Sequence, residues 1–294
     1  MHLLKQIGVM LRNLLVVAVG FVMVFHLIGR SRLDQAPYVR TKPIPIPTGT
    51  EAIARGEHLA ALSSCTWCHG SDLSGQVAEE GMPFGYIPAP NLTPGGVGGR
   101  YSDADWERAL RHGVALNGRT LVIMPSHHYD SYNDEDLGAL IAYLKSVPSV
   151  PDTLAPRQIT FPGTIIFGVL AYPNWGVVSV NHAAVGRNPV SMGETAVYGR
   201  YLVEIASCGS CHTDILTGNS DPHLGPVAPD ITPTGALQDW SEDDFFQFMQ
   251  TGRQPPGRQI DSDVSSRNYG YLTDLETRAI WLFLQSIEPV PKEL

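Results

Sequence analysis

The chain has 294 residues, 43% hydrophobic and 17% charged, a balance that excludes a disordered protein and allows two domains of ordinary size. Its formal charge is −9. Lys5, Arg12, Arg30 and Arg32 are the only charged residues before Leu33, so residues 33–294 carry 16 basic and 29 acidic groups, a net of −13. That balance argues against a nucleic-acid partner and suits a partner with a basic docking face, with ordinary solubility charge as the alternative.

The chain opens on a charge-free run of 17 residues, 13–29, between Arg12 and Arg30. This is the short end of a membrane span, and residues 7–11 lengthen it if Arg12 snorkels. The residues that follow, Ser31-Arg32-Leu33-Asp34-Gln35-Ala36-Pro37, contain no good small-x-small cleavage site. Residues 1–32 are therefore expected to be an uncleaved transmembrane signal-anchor, with a removed signal peptide as the rival. His26 inside the run is expected as a tolerated histidine near the interface, with haem or quinone contact as the alternative. Residues 33–50 hold Pro37, Pro43, Pro45 and Pro47, which predicts an extended, semi-rigid spacer.

The four cysteines fall into two clusters, Cys65-Thr66-Trp67-Cys68-His69 and Cys208-Gly209-Ser210-Cys211-His212. Cys-x-x-Cys-His is the attachment signature of c-type haem. A zinc site built from both pairs is the alternative. It leaves both histidines, and the repeated context around each pair, without a role. The expectation is two covalently bound haem c groups, with no cysteine left over for a disulfide.

A single pattern occurs twice. Gly56 and Gly199 each precede the first cysteine of their cluster by nine residues. Pro90-Asn91-Leu92-Thr93-Pro94 is matched by Pro229-Asp230-Ile231-Thr232-Pro233. Next comes a predicted helix, N-capped by Ser102 with Asp105, or by Ser241 with Asp244, and ended by Gly113 or Gly252. Gly118-Arg119 matches Gly257-Arg258. A closing helix runs from Asn133-Asp134 through Tyr143-Leu144, and from Thr273-Asp274 through Phe283-Leu284, with Thr273 and Glu276 as a capping box. Leu137, Leu140, Ile141 and Leu144 keep helical spacing.

On these residues each half resembles a class I cytochrome c domain. The resemblance implies an all-α fold of two tandem domains, at 51–150 and 193–294, after one N-terminal transmembrane helix. It also implies that the opening helix crosses the closing helix at a glycine and an aromatic residue, Gly56 with Tyr143 and Gly199 with Phe283. The tandem layout, over about residues 50–290, is similar to the membrane-bound cytochrome c subunits of periplasmic alcohol, gluconate and sorbitol dehydrogenases. Those subunits usually carry three haem motifs, and this chain has two.

Cys65 and Cys68 are expected to form the first pair of thioethers, with His69 as proximal iron ligand. Met124, 55 residues past His69 and followed by Pro125, matches the family's Met-Pro pattern for the sixth ligand. Histidine–methionine ligation raises a haem's potential. Met82, His127 and His128 are the rivals. Trp67 and Trp106 are expected to pack on haem. The resemblance suggests that Asn91 and Arg119 bond its propionates, with loop structure as the alternative.

Cys208, Cys211 and His212 take the same roles at the second haem. There the position of Met124 falls on Asp263 or Val264, so the distal thioether is missing. Three readings follow: a five-coordinate iron; ligation by Met249 or His223; or a ligand from elsewhere, such as His182 or a partner chain.

Residues 158–186 hold 29 residues without formal charge. As a span they would put the second haem motif on the wrong side of the membrane. Residues 151–192 are therefore read as an apolar interdomain linker, lying on the membrane interface, in a partner groove, or as a strap packed on the domains. Together these readings imply an electron-transfer protein rather than an enzyme. It would sit in the bacterial cytoplasmic membrane with its haems outside, and take protein redox partners rather than a small-molecule substrate. The alternatives are a diheme peroxidase-like enzyme or a haem-based sensor using the second haem.

Overall fold

A computed structural model describes residues 2–183, 187–222, 227–255, 258–259 and 269–288. The chain forms two compact units, each assembled from separated segments. One comprises Met1–Lys42, Ser74–Asp130 and Val150–Ala184; the other comprises Pro43–Leu73, Ser131–Ser149 and Val185–Leu294. This division does not follow the boundaries of the sequence repeat.

The first unit begins with α1 (His2–Asp34), one helix of 33 residues, long and apolar enough to cross a membrane, whose most apolar stretch is fully exposed. A three-stranded antiparallel sheet follows: β1 (Gln76–Gly81), β2 (Gly85–Ala89) and β3 (Gln158–Ile159) in that order. Gln76 pairs with Ala89, Gly81 with Gly85, and Tyr86 with Gln158. The fold is therefore helix-rich but not all-α. The hairpin occupies the place where the first half of the repeat is longer. Asn91 lies 16 residues after Gly75, whereas Asp230 lies 12 after Gly218 (91 − 75 and 230 − 218). Ile87 on β2 then joins Leu33, Val122 and Phe167 in a buried cluster, with Phe84, Ile159 and Trp175 packed around it.

Helix α4 (Asp103–His112) starts on the expected capping box of Ser102 and Asp105 and ends on Gly113, which is left-handed at φ 66°. It buries Trp106 and Leu110. A short helix, α5 (Ser126–Asp130), follows. The apolar 158–186 stretch folds as α7 (Phe161–Ile165), one π-helical turn (Ile166–Leu170) and α8 (Gly176–Ser179).

The second unit holds α2 (Thr50–Leu62), α3 (Cys65–His69), α6 (Asp134–Ser146), α9 (Ala196–Ile205), α10 (Gly209–His212), α11 (Glu242–Thr251) and α12 (Asp274–Gln285). Two-residue strands β4 (Arg253–Gln254) and β5 (Arg258–Gln259) pair after α11. The caps predicted for α11 and α12 form: Ser241 with Asp244, and Thr273 with Glu276. Helices α2 and α6 cross at Gly56, where a side chain would collide with the Ala139 carbonyl and come within 2.7 Å of Tyr143 Cβ. At Gly199, α9 meets the backbone of Ala279 and Ile280 on α12. Ala279 occupies in the second half the place Ala139 holds in the first. Leu59, Leu137, Leu140, Ile141, Leu202 and Ile205 are fully buried beside these crossings. The proline-rich 33–50 stretch lies against protein: Ile44 is buried, and Pro45 and Pro47 pack on Gly138.

Candidate haem-attachment sites

Both Cys-x-x-Cys-His clusters fold as one helical turn, α3 and α10, and their backbones repeat residue by residue. Ser64 and Ser207, just before the first cysteines, are left-handed at φ 56° and 61°. Gly70 and Thr213, just after the histidines, have φ 82° and 67°; Leu73 and Leu216 have φ 61° and 62°. The left-handed region costs a residue with a β-carbon roughly 1–2 kcal/mol, and such strain gathers at functional sites. Ser207, Thr213 and Leu216 all adopt a positive φ within ten residues. The hydrogen bonds match as well: Leu73 N–H donates to the Gly70 carbonyl and Leu216 N–H to the Thr213 carbonyl, both at 3.0 Å. Leu73 and Leu216 are both buried, which anchors each loop.

None of the four cysteines is in a disulfide. Cys65 is buried and the other three are half-buried; burial pushes the Cys68 thiol up. His69, at the end of α3, is 6% exposed. His212 Nδ1 lies 2.8 Å from the Pro229 carbonyl oxygen. A carbonyl only accepts, so Nδ1 carries the proton and Nε2 keeps its lone pair for a metal. Pro229 opens the repeated Pro-Asp-Ile-Thr-Pro stretch, and Asp230 stiffens it by accepting from Thr232 N–H at 2.8 Å. The residues of the second cluster thus fit a haem c: two thiols outside any disulfide and an imidazole oriented from behind. In the first unit, the Trp106 indole is 1% exposed and its N–H has no hydrogen-bond partner among the described residues. A buried, orphaned donor of this kind fits a ligand carboxylate.

Other expected residues divide. Met124 is half-buried in the loop before α5, where its carbonyl accepts from Ser126 N–H at 2.9 Å. Its rival Met82 is 75% exposed. The His127 and His128 rings lie 3.9 Å apart with planes tilted by 43°, and burial, helped by His127, pushes His128 down to about 4. Trp67 is 77% exposed, so only Trp106 of the expected pair is packed inside protein. Asn91 is fully buried and serves the loop: it donates to the Val150 carbonyl at 2.8 Å and accepts from Thr93 N–H and Oγ1. Arg119 sits 3.5 Å from Asp34. His182 has both nitrogens engaged, Nδ1 with His112 at 3.1 Å and Nε2 with the Val177 carbonyl at 2.8 Å. Met249 is half-buried on α11. His223, Asp263 and Val264 lie outside the described residues.

Sequence reasoning missed a buried polar cluster in the second unit. Arg55 donates to both oxygens of Asp136, at 2.9 and 3.1 Å, and to Glu276 at 3.2 Å. His58 Nε2 lies 2.9 and 2.8 Å from the two Glu276 oxygens, and the Tyr201 hydroxyl donates to Asp136 at 2.7 Å. Tyr198 contacts Arg55 at 3.2 Å and Glu276 at 3.4 Å. Burial opposes ionisation of Glu276, but hydrogen bonds from His58 and Thr273 and the charges of His58 and Arg55 outweigh it, holding the carboxyl at about 2. Close by, the Tyr132 hydroxyl bonds Ser63, whose Oγ reaches the Ile205 carbonyl at 3.4 Å. Ser63 precedes Cys65 by two residues and Ile205 precedes Cys208 by three. The cluster therefore ties together the helices leading into both attachment turns. The available signal was positional: Arg55 and Tyr198, His58 and Tyr201, and Asp136 and Glu276 are matched pairs in the repeat.

Residues 53–148 match the family model described as Cytochrome c. Residues 53–148 form a cytochrome c domain. The chain is 34% identical over 272 residues to the gluconate 2-dehydrogenase cytochrome c subunit of Pantoea cypripedii, covering 80% of this chain and 59% of that protein. It is 31% identical over 275 residues to the fructose dehydrogenase cytochrome subunit of Gluconobacter japonicus, covering 84% and 55%. A diheme cytochrome c-type protein of Cereibacter sphaeroides is 29% identical over 271 residues, covering 82% and 88%. The chain thus spans a little over half the length of the two dehydrogenase subunits. A cytochrome c domain carries covalent haem c, and its chemistry is electron transport.

Proposed function

We propose that the chain is a membrane-anchored diheme cytochrome c that passes electrons between a dehydrogenase or quinol-oxidising complex and a second acceptor. Haem c supplies reversible one-electron chemistry when bound. Cys65 and Cys68, and Cys208 and Cys211, tether one haem each. His69 and His212 hold the irons from the proximal side. Met124 completes the first iron with a thioether, which favours the reduced state. The second iron lacks a thioether at the matching position and is five-coordinate, bound by Met249 or His223, or bound by a residue from elsewhere such as His182 or a partner chain. The two haems then differ in potential, which gives electron flow a direction. Helix α1 anchors the protein in the bacterial inner membrane, with the haem-bearing part on the periplasmic side. Its partners are redox proteins rather than a small-molecule substrate.

The observation that carries this reading is the second attachment turn. It reproduces the strained backbone of the first, and Pro229 fixes the tautomer its histidine needs. Haem content tests it. The pyridine haemochrome of the purified protein should give two haems per chain, and Cys208→Ser with Cys211→Ser should give one. A wild-type value of one would sink the diheme reading.

A further inference from the structure

The charge-free 158–186 stretch packs on the outer end of α1. Phe161 stacks on His26, with ring centroids 4.3 Å apart and planes 20° from parallel. Gly29 sits against Thr164 and Gly168, so closely that a side chain there would collide with the Thr164 carbonyl. Arg32 donates to the Gly168 carbonyl at 3.3 Å and lies over the Tyr172 ring at 4.9 Å. The Trp175 indole N–H donates to the Phe167 carbonyl at 2.8 Å, which holds the stretch in a compact strap.

The depth of these contacts is informative. His26 precedes Arg30 by four residues, which is about 6 Å along the helix axis. Amphipathic segments at a membrane surface sink roughly 5–10 Å into the boundary between headgroups and acyl chains. Phe161 on His26 thus reaches the interfacial depth of a bilayer that α1 crosses. The strap turns apolar side chains outward: Phe161 is 45%, Leu170 69% and Val178 44% exposed. Tyr172 and Trp175 beside them are the residue types of the interfacial belt. This face continues the exposed apolar surface of α1, so one occupant covers both.

We propose that residues 161–178 form a second membrane contact, a strap lying in the outer lipid boundary and clasped to α1 through His26, Gly29 and Arg32. This rests on the reading of α1 as a membrane anchor. The strap fixes α1 against the unit that contains both, and so keeps that unit at the membrane surface.

Photo-crosslinking of the full-length, haem-loaded protein in vesicles of phosphatidylethanolamine and phosphatidylglycerol tests the idea. Leu170, Val16 on α1 and the exposed Val197 on α9 are each replaced, in separate chains, by p-benzoylphenylalanine. Lipid adducts at Leu170 and Val16 should exceed those at Val197 by at least about tenfold, as expected for interfacial and spanning positions against an aqueous one. Adducts at Val16 without adducts at Leu170 overturn the strap while leaving the anchor intact. Protein adducts in place of lipid at Leu170 overturn it in favour of a protein partner. An absence of adducts at both positions defeats the anchor reading and the strap with it. Equal labelling at Val197 also overturns the proposal.

Discussion

Tyr201 reaches Asp136 at 2.7 Å, and His58, its counterpart in the repeat, reaches Glu276 at 2.8 Å. Each therefore bonds the acid at the third position of the other half's closing helix. An exchanged contact of this kind is the pattern of an isologous interface, here between two halves of one chain. Arg55 sits at its centre and bonds both acids. Because Asp136 and Glu276 also stand in the first turns of α6 and α12, helix ends and interface share the same carboxylates.

Tyr201→Phe should destabilise the protein by roughly 1–3 kcal/mol, since it leaves buried Asp136 short of a donor. A double-mutant cycle of Tyr201→Phe with Asp136→Asn should show coupling above about 0.5 kcal/mol in denaturant unfolding. Strict additivity would mean the contact contributes nothing.

Glu276 supplies a pH dependence with a definite sign. Its carboxyl is held at about 2, below the ordinary 4.5. In the unfolded chain the group takes up a proton as pH falls through its ordinary value, while the folded protein refuses it. This share of stability is complete above the ordinary value and is lost as pH drops toward about 2. Glu276→Gln should cost roughly 3 kcal/mol near neutrality, because it breaks a buried ion pair, and should flatten the acid limb. Urea midpoints measured from neutral to acidic pH read both effects. An unchanged acid limb in the variant would show that other carboxylates carry it.

Gly56→Ala and Gly199→Ala each force a methyl group onto a carbonyl of the crossing helix. Each should cost more than about 3 kcal/mol, since the helices must separate and lose packing. Thermal unfolding of the holoprotein measures this. Losses below about 1 kcal/mol would show that the crossings yield easily.

Met124→Ala should remove the thioether-to-iron charge-transfer absorbance of the oxidised protein and lower one midpoint potential, leaving two haems per chain. A redox titration with low-temperature EPR should show low-spin histidine–methionine iron for one haem in the wild type and a different signal for the other. A low-spin histidine–methionine signal from both haems would contradict the missing thioether at the second site.

The amino-acid sequence alone determined the features whose partners lie within a few residues. The attachment turns, the three capping boxes and the left-handed stops at Gly113 and Gly252 all follow from local chemistry repeated at a constant spacing. Tertiary structure alone decided the rest. Asn91 was legible as a conspicuous polar residue, but its bond to the Val150 carbonyl, 59 residues away, assigns it to the loop. Glu276 was legible as a cap, but Arg55 and His58, more than 200 residues away, make it the hub of an interface. The hairpin of β1 and β2 escaped because a longer connection states its length but not its pairing. Burial creates these roles: a side chain taken from water must find a partner, and chain folding, not spacing, brings that partner within reach.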